Sequence, residues 1–469
     1  MSAEFYRNDL QEATVSVQAL KMEEQQRPIV ESDYVLLAGE LEDVTGGNPS
    51  KRLSFPGNFI MCNCAVLSLL IACIISFGLA AEIFHQNSQV GKSVFAFREG
   101  EEVWSNRIPL LLLIPPSSAN EVEVLLAFVE GRSRESDAGP KRLNLRRSHD
   151  GGLTWGSLET LYRDRNRSWR YDGLSLGTAV YDAKTKTVWL HFCVGAHDEH
   201  STNRNHFVMS SHDKGKTWTQ PRSINREIVH GTNGEVKMWM GGPGTGIQLS
   251  SGRLIVCGWY NWNSEEKGGN DKNTGTMVLY SDDAGQTWIP GGRVEKTVDV
   301  HPNECQIVRL LNGTLLMNMR DANGKSSSKP CRLQSISNDD GISWSVPIQA
   351  PDLVNPVCEA GLTEEHGTLF YLGPRSATKR ENGIIMRSDN NGSDWFQLAT
   401  VARNEFGYSQ LVKLSNGKFG VLFESTSACK FSTILNPSTF FPCIYQGWAR
   451  KLVFVFNEIR FTIIQSKNR

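Results

Sequence analysis

The amino-acid sequence predicts an all-β fold, a six-bladed β-propeller, with one N-terminal transmembrane helix. Three observations predict it: an eight-residue phrase that occurs five times, many short apolar segments, and one long uncharged apolar run near the N-terminus. Short apolar segments separated by Gly, Asn, Asp and Pro are typical of strands joined by tight turns. Units that recur along a chain at a similar spacing are typical of propeller blades or solenoid turns.

The recurring phrase begins with Ser, has Asp or Asn at its third position and Gly at its fifth, and ends in Trp. Its final residues are Trp155, Trp218, Trp288, Trp344 and Trp395, at intervals of 63, 70, 56 and 51 residues. A unit of roughly 60 residues divides the chain after the apolar run into six, and four-stranded blades suit the short strands. The phrase indicates a hairpin turn, because Asp and Gly tolerate tight backbone angles and the carboxylate can accept local N–H groups. We therefore interpret its Asp as a structural residue.

The apolar run, residues 59–81, is long enough as a helix to cross the hydrocarbon core of a bilayer. The 58 largely polar residues before it are too many for the n-region of a signal peptide. Lys51 and Arg52 precede the run and Glu82 follows it, which favours a cytosolic N-terminus. The sequence thus predicts a single-pass type II membrane protein.

The chain is predicted to have five parts. These are a cytosolic, mostly disordered tail at 1–58, the transmembrane helix at 59–81, a linker at 82–92, the propeller at 93–457 and a tail at 458–469. In the first tail, Tyr34 and Leu37 match the tyrosine-x-x-apolar pattern of adaptor-read sorting signals. Such patterns also arise by chance, so the signal is a hypothesis; it predicts a lysosomal or endosomal protein, with the plasma membrane as the alternative.

Three acceptor triplets for N-glycosylation follow the apolar run, as a lumenal or extracellular domain would show. Their asparagines are Asn166, Asn312 and Asn391.

The composition excludes several other classes. The formal net charge is -1, which gives no electrostatic case for binding nucleic acid. The sequence has no His-Glu-x-x-His motif and no clustered Cys and His, so no metal is expected. The "GKT" at Gly215–Thr217 lacks the earlier Gly of a phosphate-binding loop. We therefore expect no cofactor.

The repeated phrases resemble the Asp boxes of the sialidase (neuraminidase) family, and "SNRIP" at Ser105–Pro109 resembles the arginine motif that precedes the first box there. The stretches "EGRSRESDAG", "HPNECQ", "LVNPVCEAG" and "FGYSQL" are similar to the lysosomal animal members more than to the cytosolic ones. The resemblance runs from about residue 93 to about residue 425. It implies an exo-α-sialidase that removes terminal sialic acids from glycoproteins, oligosaccharides or glycolipids, including gangliosides, with retention of configuration.

The family resemblance also implies roles for three catalytic residues. Tyr408 matches the nucleophile, Glu304 the general base that takes its proton, and Asp137 the general acid and base at the leaving group. Sialidases use Tyr where most glycosidases use a carboxylate. Sialic acid carries its own carboxylate on the reacting carbon, so a neutral phenol avoids a repulsion between like charges.

Five further residues match the family's substrate-binding positions. Three arginines hold the sialic acid carboxylate there, because a guanidinium can bind it through two parallel hydrogen bonds. The third of them is assigned to Arg380, with Arg375 as a rival, and Glu424 is expected to orient the first. The full set is Arg107, Arg132, Arg320, Arg380 and Glu424.

Two alternatives to a sialidase stay open at this point. Asp boxes also occur in non-catalytic propellers that act as lectins or sorting receptors, and a trans-sialidase would use the same residues. After Glu424 the chain departs from the family pattern, so the closure of the last blade is in doubt. The lysosomal resemblance further implies a carboxypeptidase partner.

Overall fold

The computed structural model describes only part of the chain. The described residues are 91, 93–98, 103–118, 120–133, 137, 139–164, 173–195, 205–262, 274–326, 329–425 and 458–464. The predicted span at 59–81, the sorting signal at Tyr34 and Leu37, and the acceptor Asn166 lie outside these residues. Within the described ranges, no helix is both long enough and apolar enough to cross a bilayer.

Six sheets build the fold, which confirms the predicted six-bladed propeller. The first strand, β1 (Val94–Phe97), belongs to the last blade. Blade 1 contains β2 (Ser105–Ile114), β3 (Val124–Arg132), β4 (Lys141–Ser148) and β5 (Glu159–Arg163). Blade 2 contains β6 (Leu174–Asp182), β7 (Thr187–Val194), β8 (Asn205–Ser211) and β9 (Arg222–Ser223). A short helix, α1 (Asn225–Gly231), leads to blade 3.

Blade 3 begins with an interrupted inner strand. The chain forms β10 (Val236–Gly241), β11 (Gly244–Thr245), β12 (Ile247–Gln248), β13 (Leu254–Trp262), β14 (Thr274–Ser281) and β15 (Ile289–Glu295). Strand β11 pairs with β6 of blade 2, while β10 and β12 both pair with β13.

Blades 4 and 5 are regular four-stranded antiparallel sheets. Blade 4 contains β16 (Pro302–Arg309), β17 (Leu315–Asp321), β18 (Cys331–Ser337) and β19 (Ile348–Val354), with a 3₁₀ turn at Ala322–Ser326. Blade 5 contains β20 (Gly361–Glu365), β21 (Thr368–Pro374), β22 (Glu381–Ser388) and β23 (Phe396–Glu405).

The last blade combines both ends of the propeller. It contains β24 (Ser409–Lys413), β25 (Phe419–Ser425), β26 (Glu458–Ile464) and β1. Strand β26 pairs with β25 on one side and with β1 on the other. The predicted boundary at 457, with a tail at 458–469, is thus displaced, since 458–464 lie in the sheet. Ile459 and Phe461 are buried against the first blade, and Ile464 is buried against the fifth, so this divergent segment supplies the apolar residues that close the ring.

The apolar core is divided among the contacts between neighbouring blades. Six large clusters of buried side chains each combine strands of two adjacent blades. In the first of them, Leu112 and Leu126 of blade 1 pack with Leu190 of blade 2. Burying one such side chain stabilises a fold by about 1.5–3 kcal/mol. Because both faces of a blade are covered, its second strand is rich in apolar residues, as in β3 and β25.

The five Asp boxes occupy the turns between the third and fourth strands of blades 1 to 5. In the first box the Asp150 carboxylate accepts hydrogen bonds from Ser148 Oγ at 2.7 Å, from the Thr154 amide at 2.9 Å and from Thr154 Oγ1 at 2.5 Å. The Gly152 amide donates to Ser148 Oγ at 2.8 Å. The next three boxes repeat this pattern. The interpretation of the phrase as a hairpin turn is confirmed.

The fifth box reverses one of these hydrogen bonds. Asn390 stands in place of the Asp, and Asp394 stands in place of the Thr or Ser. Asn390 Oδ1 still accepts the Asp394 amide at 3.0 Å, but Asn390 Nδ2 now donates to Asp394 Oδ2 at 2.8 Å. The two exchanges compensate each other, because the donor and the acceptor have swapped places.

We expect Asn390→Asp to destabilise the protein by about 1 kcal/mol, because two carboxylates would then face each other with no donor between them. Urea unfolding of the purified full-length protein measures the change. The double variant N390D/D394T restores the pattern of the first three boxes and should recover the wild-type stability. A double variant as unstable as N390D would contradict this explanation.

Candidate active site

The predicted catalytic and substrate-binding residues all lie at one end of the propeller. The first strand of each blade starts at that end, which places Arg107 of β2 and Glu304 of β16 there, and Tyr408 directly precedes β24. The second strand of each blade finishes there, which places Arg320 of β17 and Glu424 of β25 beside them. The Asp boxes, which join the third strands to the fourth, lie at the opposite end.

Tyr408, Glu304 and Arg320 form the centre of the site. The Tyr408 hydroxyl donates to Glu304 Oε1 at 2.5 Å. One guanidinium nitrogen of Arg320, Nη1, donates both to Glu304 Oε2 at 2.7 Å and to the Tyr408 oxygen at 2.8 Å. Tyr408 is only 5% exposed. A phenol, a carboxylate that can take its proton and a cation that bonds both are thus in direct contact.

The electrostatic surroundings keep the Tyr408 phenol neutral before reaction. Burial and the negative charge of Glu304 raise the pKa of Tyr408 well above its ordinary value, and the positive charges of Arg320 and Arg380 oppose them. Proton transfer to Glu304 would neutralise the negative charge of Glu304 and leave the positive charges of both arginines in place. The resulting phenolate would therefore be stabilised by two cations.

Glu424 fixes the geometry around Arg107. Its Oε1 accepts Arg107 Nε at 2.7 Å and the Ile108 amide at 2.9 Å, and its Oε2 accepts the Tyr408 amide at 3.1 Å. Ile108 has a positive φ of 57°, which is strained for a β-branched residue. Burial lowers the pKa of Arg107, but the charge and the hydrogen bond of Glu424, together with Tyr408, outweigh it and the net shift is upward. Glu424 therefore holds an arginine and the nucleophile candidate in one arrangement.

The structure distinguishes the two candidates for the third arginine. The guanidinium carbon of Arg380 lies 5.0 Å from the centroid of the Tyr408 ring, and that of Arg107 lies 5.8 Å from it. Arg375 instead donates from Nη1 to Gln397 Oε1 at 3.0 Å, in an exposed position. Arg380 joins the site and Arg375 does not.

Asp137 and Arg132 form an ion pair beside this centre. Arg132 Nη1 lies 2.6 Å from Asp137 Oδ1, and Arg132 Nη2 lies 2.7 Å from Glu130 Oε2. Burial raises the pKa of Glu130, but Lys141 and Arg132 outweigh it and the net shift is downward. Arg132 and Glu130 are buried, whereas the Asp137 side chain is 68% exposed. Asp137 therefore faces solvent, while its partner Arg132 is held by the buried carboxylate of Glu130.

A family model for the BNR repeat-like domain matches residues 123–421. The chain is 30% identical over 386 residues to human Sialidase-3, a match that covers 68% of this chain and 85% of that protein. This chain belongs to the sialidase family.

Other members align with this chain over a smaller share of their own length. It is 33% identical over 256 residues to human Sialidase-4, which covers 51% of this chain and 49% of that one. It is 28% identical over 361 residues to the Sialidase of Micromonospora viridifaciens, with coverages of 71% and 52%. The chain thus spans about half the length of these two relatives. The predicted closeness to the lysosomal sialidases stays a prediction.

Solved structures share the fold of this chain. It superposes on Hadza microbial sialidase Hz136 with a TM-score of 0.59 at 20% identity, covering 71% of this chain and 66% of that one. Against Trypanosoma rangeli sialidase in complex with sialic acid the TM-score is 0.58 at 17% identity, with coverages of 79% and 58%. At these identities the likeness establishes the propeller fold.

Two buried carboxylates of the site were not assigned from the sequence. Glu130 pairs with Arg132, and Glu359 accepts the amide of Ser409, the residue after Tyr408, at 2.9 Å. Both lie in stretches that carry the family resemblance, "EGRSRESDAG" and "LVNPVCEAG". An acidic residue inside an otherwise apolar stretch is the signal that could have identified Glu359, because a buried carboxylate needs bound partners.

The predicted acceptor asparagines Asn312 and Asn391 are exposed. Asn312 lies between β16 and β17 and Asn391 lies in the fifth Asp box, both at the end of the propeller away from Tyr408. Their glycosylation stays a prediction, and glycans at these positions would leave the site open.

We expect Glu304→Gln to make the Tyr408 phenol ionise at lower pH. Burial is the largest cause that raises the pKa of Tyr408 and the charge of Glu304 is the next; the variant removes that charge and leaves the opposing charges of Arg320 and Arg380 in place. Ultraviolet difference titration of the wild type against Y408F, and of E304Q against E304Q/Y408F, isolates this one phenol. An unchanged or higher midpoint in E304Q would show that Glu304 does not govern Tyr408.

Proposed function

We propose that this sialidase-family protein is an exo-α-sialidase that hydrolyses terminal sialic acids with retention of configuration. The contact that carries the proposal is the 2.5 Å hydrogen bond from Tyr408 to Glu304, with Arg320 bonded to both. The relatives named above as sialidases support the substrate class.

In the first step Tyr408 is the nucleophile. Its oxygen attacks the anomeric carbon while its proton passes to Glu304 Oε1, and the bond to the glycosidic oxygen breaks. Asp137 protonates that oxygen, so that a neutral alcohol departs and a sialyl-tyrosine forms.

In the second step the roles reverse. Asp137, now a carboxylate, takes a proton from water, and the water oxygen attacks the anomeric carbon. The bond to Tyr408 breaks, and its oxygen recovers the proton from Glu304. Two inversions at the same carbon give net retention.

Three arginines around Tyr408 are the proposed site for the sialic acid carboxylate. Arg320 contacts the phenol oxygen, and the guanidinium groups of Arg107 and Arg380 lie close to its ring. Glu424 accepts Arg107 Nε and two backbone amides, which fixes the position of that guanidinium. The guanidinium groups can therefore bind a carboxylate on the reacting carbon and orient it. Arg132 is proposed to act on the same side, where it holds Asp137.

We expect the purified full-length protein to release the fluorophore from a fluorogenic sialoside. Tyr408→Phe and Asp137→Ala should each lower kcat by about 10²–10⁴-fold, since each removes a group that makes or breaks a bond or transfers a proton. Tyr181→Phe, near the far end of β6, is the matched control and should leave kcat unchanged. Full activity in Y408F would refute the assignment. Sialoside binding without turnover would favour a non-catalytic lectin or sorting receptor, and sialyl transfer to added lactose a trans-sialidase.

We further propose that the protein is a type II membrane sialidase, anchored by residues 59–81 and carrying the propeller on the lumenal or extracellular side. The apolar run and the acceptor triplets that follow it support this orientation. Its substrates would be membrane and lumenal glycoconjugates, namely glycoproteins, oligosaccharides and glycolipids such as gangliosides. A carboxypeptidase partner is proposed from the lysosomal resemblance alone.

Tyr34→Ala should shift the protein from endosomes and lysosomes to the cell surface, because it removes the tyrosine of the proposed sorting signal. Surface labelling and microscopy of the tagged full-length chain measure the distribution. Tyr6→Ala, at another tyrosine of the same tail, is the control. The signal is absent if Y34A and Y6A are both distributed like the wild type.

A further inference from the structure

A second layer of polar side chains lies directly below the catalytic centre. Glu304, Arg320 and Tyr408 each have a buried polar residue two positions away along the chain, on the side further from the active-site end. Side chains alternate along a strand, so this residue lies on the same face. These residues are Gln306 below Glu304, Asn318 below Arg320, and Gln410 below Tyr408. Burying a polar side chain costs free energy unless it is hydrogen-bonded, so this layer needs an explanation.

The two glutamines repeat the contact above them. Gln306 Nε2 donates to Gln410 Oε1 at 3.0 Å, one layer below the hydrogen bond from Tyr408 to Glu304. Strands β16 and β24 belong to blades 4 and 6, which share no sheet hydrogen bonds. Two successive side-chain contacts therefore connect these blades where the backbone does not.

Glu359 anchors this second contact from blade 5. Its Oε1 accepts Gln410 Nε2 at 2.6 Å, and its Oε2 accepts the Ser409 amide at 2.9 Å. Glu424 accepts the preceding amide, that of Tyr408, at 3.1 Å. Two successive backbone N–H groups at the nucleophile are thus each bound to a different buried carboxylate.

The position of Glu359 is itself fixed by a neighbouring blade. Arg332 of β18 donates from Nη1 to the carbonyl of Cys358 at 2.7 Å and from Nε to Asn318 Oδ1 at 2.7 Å. Arg332 is fully buried. Arg332 therefore links the backbone beside Glu359 to Asn318, the residue below Arg320.

Glu359 is 1% exposed, and burial raises its pKa well above the ordinary value of a carboxyl group. Burying an ionisable group costs free energy unless its partners compensate. No step of the mechanism above moves a proton to or from Glu359. Its hydrogen bonds lead instead to the segment that carries Tyr408.

We propose that Glu359 is a positioning residue: through the Ser409 amide and the Gln410 side chain, it sets the distance between the Tyr408 hydroxyl and Glu304. The kinetic part of this inference rests on the proposed sialidase function, and the geometric part does not. A displacement of about 1 Å at a reacting group can lower a rate about 10²-fold. Asp182 offers a matched control, since it is equally buried and accepts the Lys184 amide at 2.9 Å and Gln248 Nε2 at 2.5 Å, at the far end of β6.

The kinetic test compares E359A, E359Q and D182A in the full-length protein with a fluorogenic sialoside. E359A should lower kcat by about 10–100-fold and change KM by less than about threefold, because the ground-state contacts to substrate persist. E359Q keeps one oxygen for the Ser409 amide but places its amide nitrogen against Gln410 Nε2, also a donor, so its kcat should fall between those of E359A and wild type. D182A should lose thermal stability as E359A does and keep the wild-type kcat.

The geometric test is a crystal structure of wild type and of E359A. The distance from Tyr408 Oη to Glu304 Oε1, 2.5 Å in the present structure, should exceed about 3.5 Å in E359A, beyond hydrogen-bonding range. An unchanged distance, or equal losses of kcat in E359A and D182A, would overturn the positioning role. A wild type without activity would refute the sialidase proposal, and the distance would still decide the role of Glu359. If E359A does not fold, E359Q decides: a Tyr408–Glu304 distance and a kcat both equal to those of wild type overturn the proposal, and a longer distance with a lower kcat supports it.

Discussion

The carboxylate of Glu424 joins the first blade to the last, and the site depends on it. One oxygen binds the Arg107 side chain and the strained Ile108 backbone of blade 1, and the other binds the Tyr408 backbone of blade 6. The partners Arg107 and Glu424 are 317 positions apart in the chain. A ring of blades has one seam where its ends must meet, and this contact lies close to that seam. The pairing of β25 with β26 and of β26 with β1 holds the seam together. The geometry of the site therefore depends on the closure of the ring.

The propeller separates structural repetition from chemistry. The Asp boxes stabilise one end through local hydrogen bonds, within turns of eight residues. The opposite end collects single-copy charged residues from several blades, because the first strands start there and the second strands finish there. In the fifth box the exchange of Asn390 and Asp394 preserves the turn, which shows that a local hydrogen-bond pattern can be kept by more than one pair of residues. The contacts of Tyr408 offer no such local substitution, since its partners come from other blades.

The site concentrates buried charges that would be costly if they stood alone. Arg107 and Arg320 each bind a carboxylate, and Glu304, Glu359 and Glu424 each accept at least two donors. Such a network is rigid, because moving one member leaves another buried and unpaired. A rigid arrangement of charges is what stabilises charge that develops in a transition state without reorganisation during the reaction. The second polar layer, from Gln306 to Glu359, extends this rigidity one residue deeper.

The sequence by itself determined the number of blades, the position of their turns and most of the catalytic candidates. These features are encoded locally: the Asp boxes recur in five of the six blades, and motifs such as "HPNECQ" and "FGYSQL" mark Glu304 and Tyr408 in the sequence. Only the tertiary structure decided that Arg380 and not Arg375 reaches the Tyr408 ring, that residues 458–464 close the last blade, and that Glu359 supports the nucleophile segment. Those outcomes depend on contacts between residues of different blades. Glu304 and Tyr408, for example, are in contact although they are 104 positions apart in the chain. Periodicity and local motifs carry no information about which side chains meet across a closed ring.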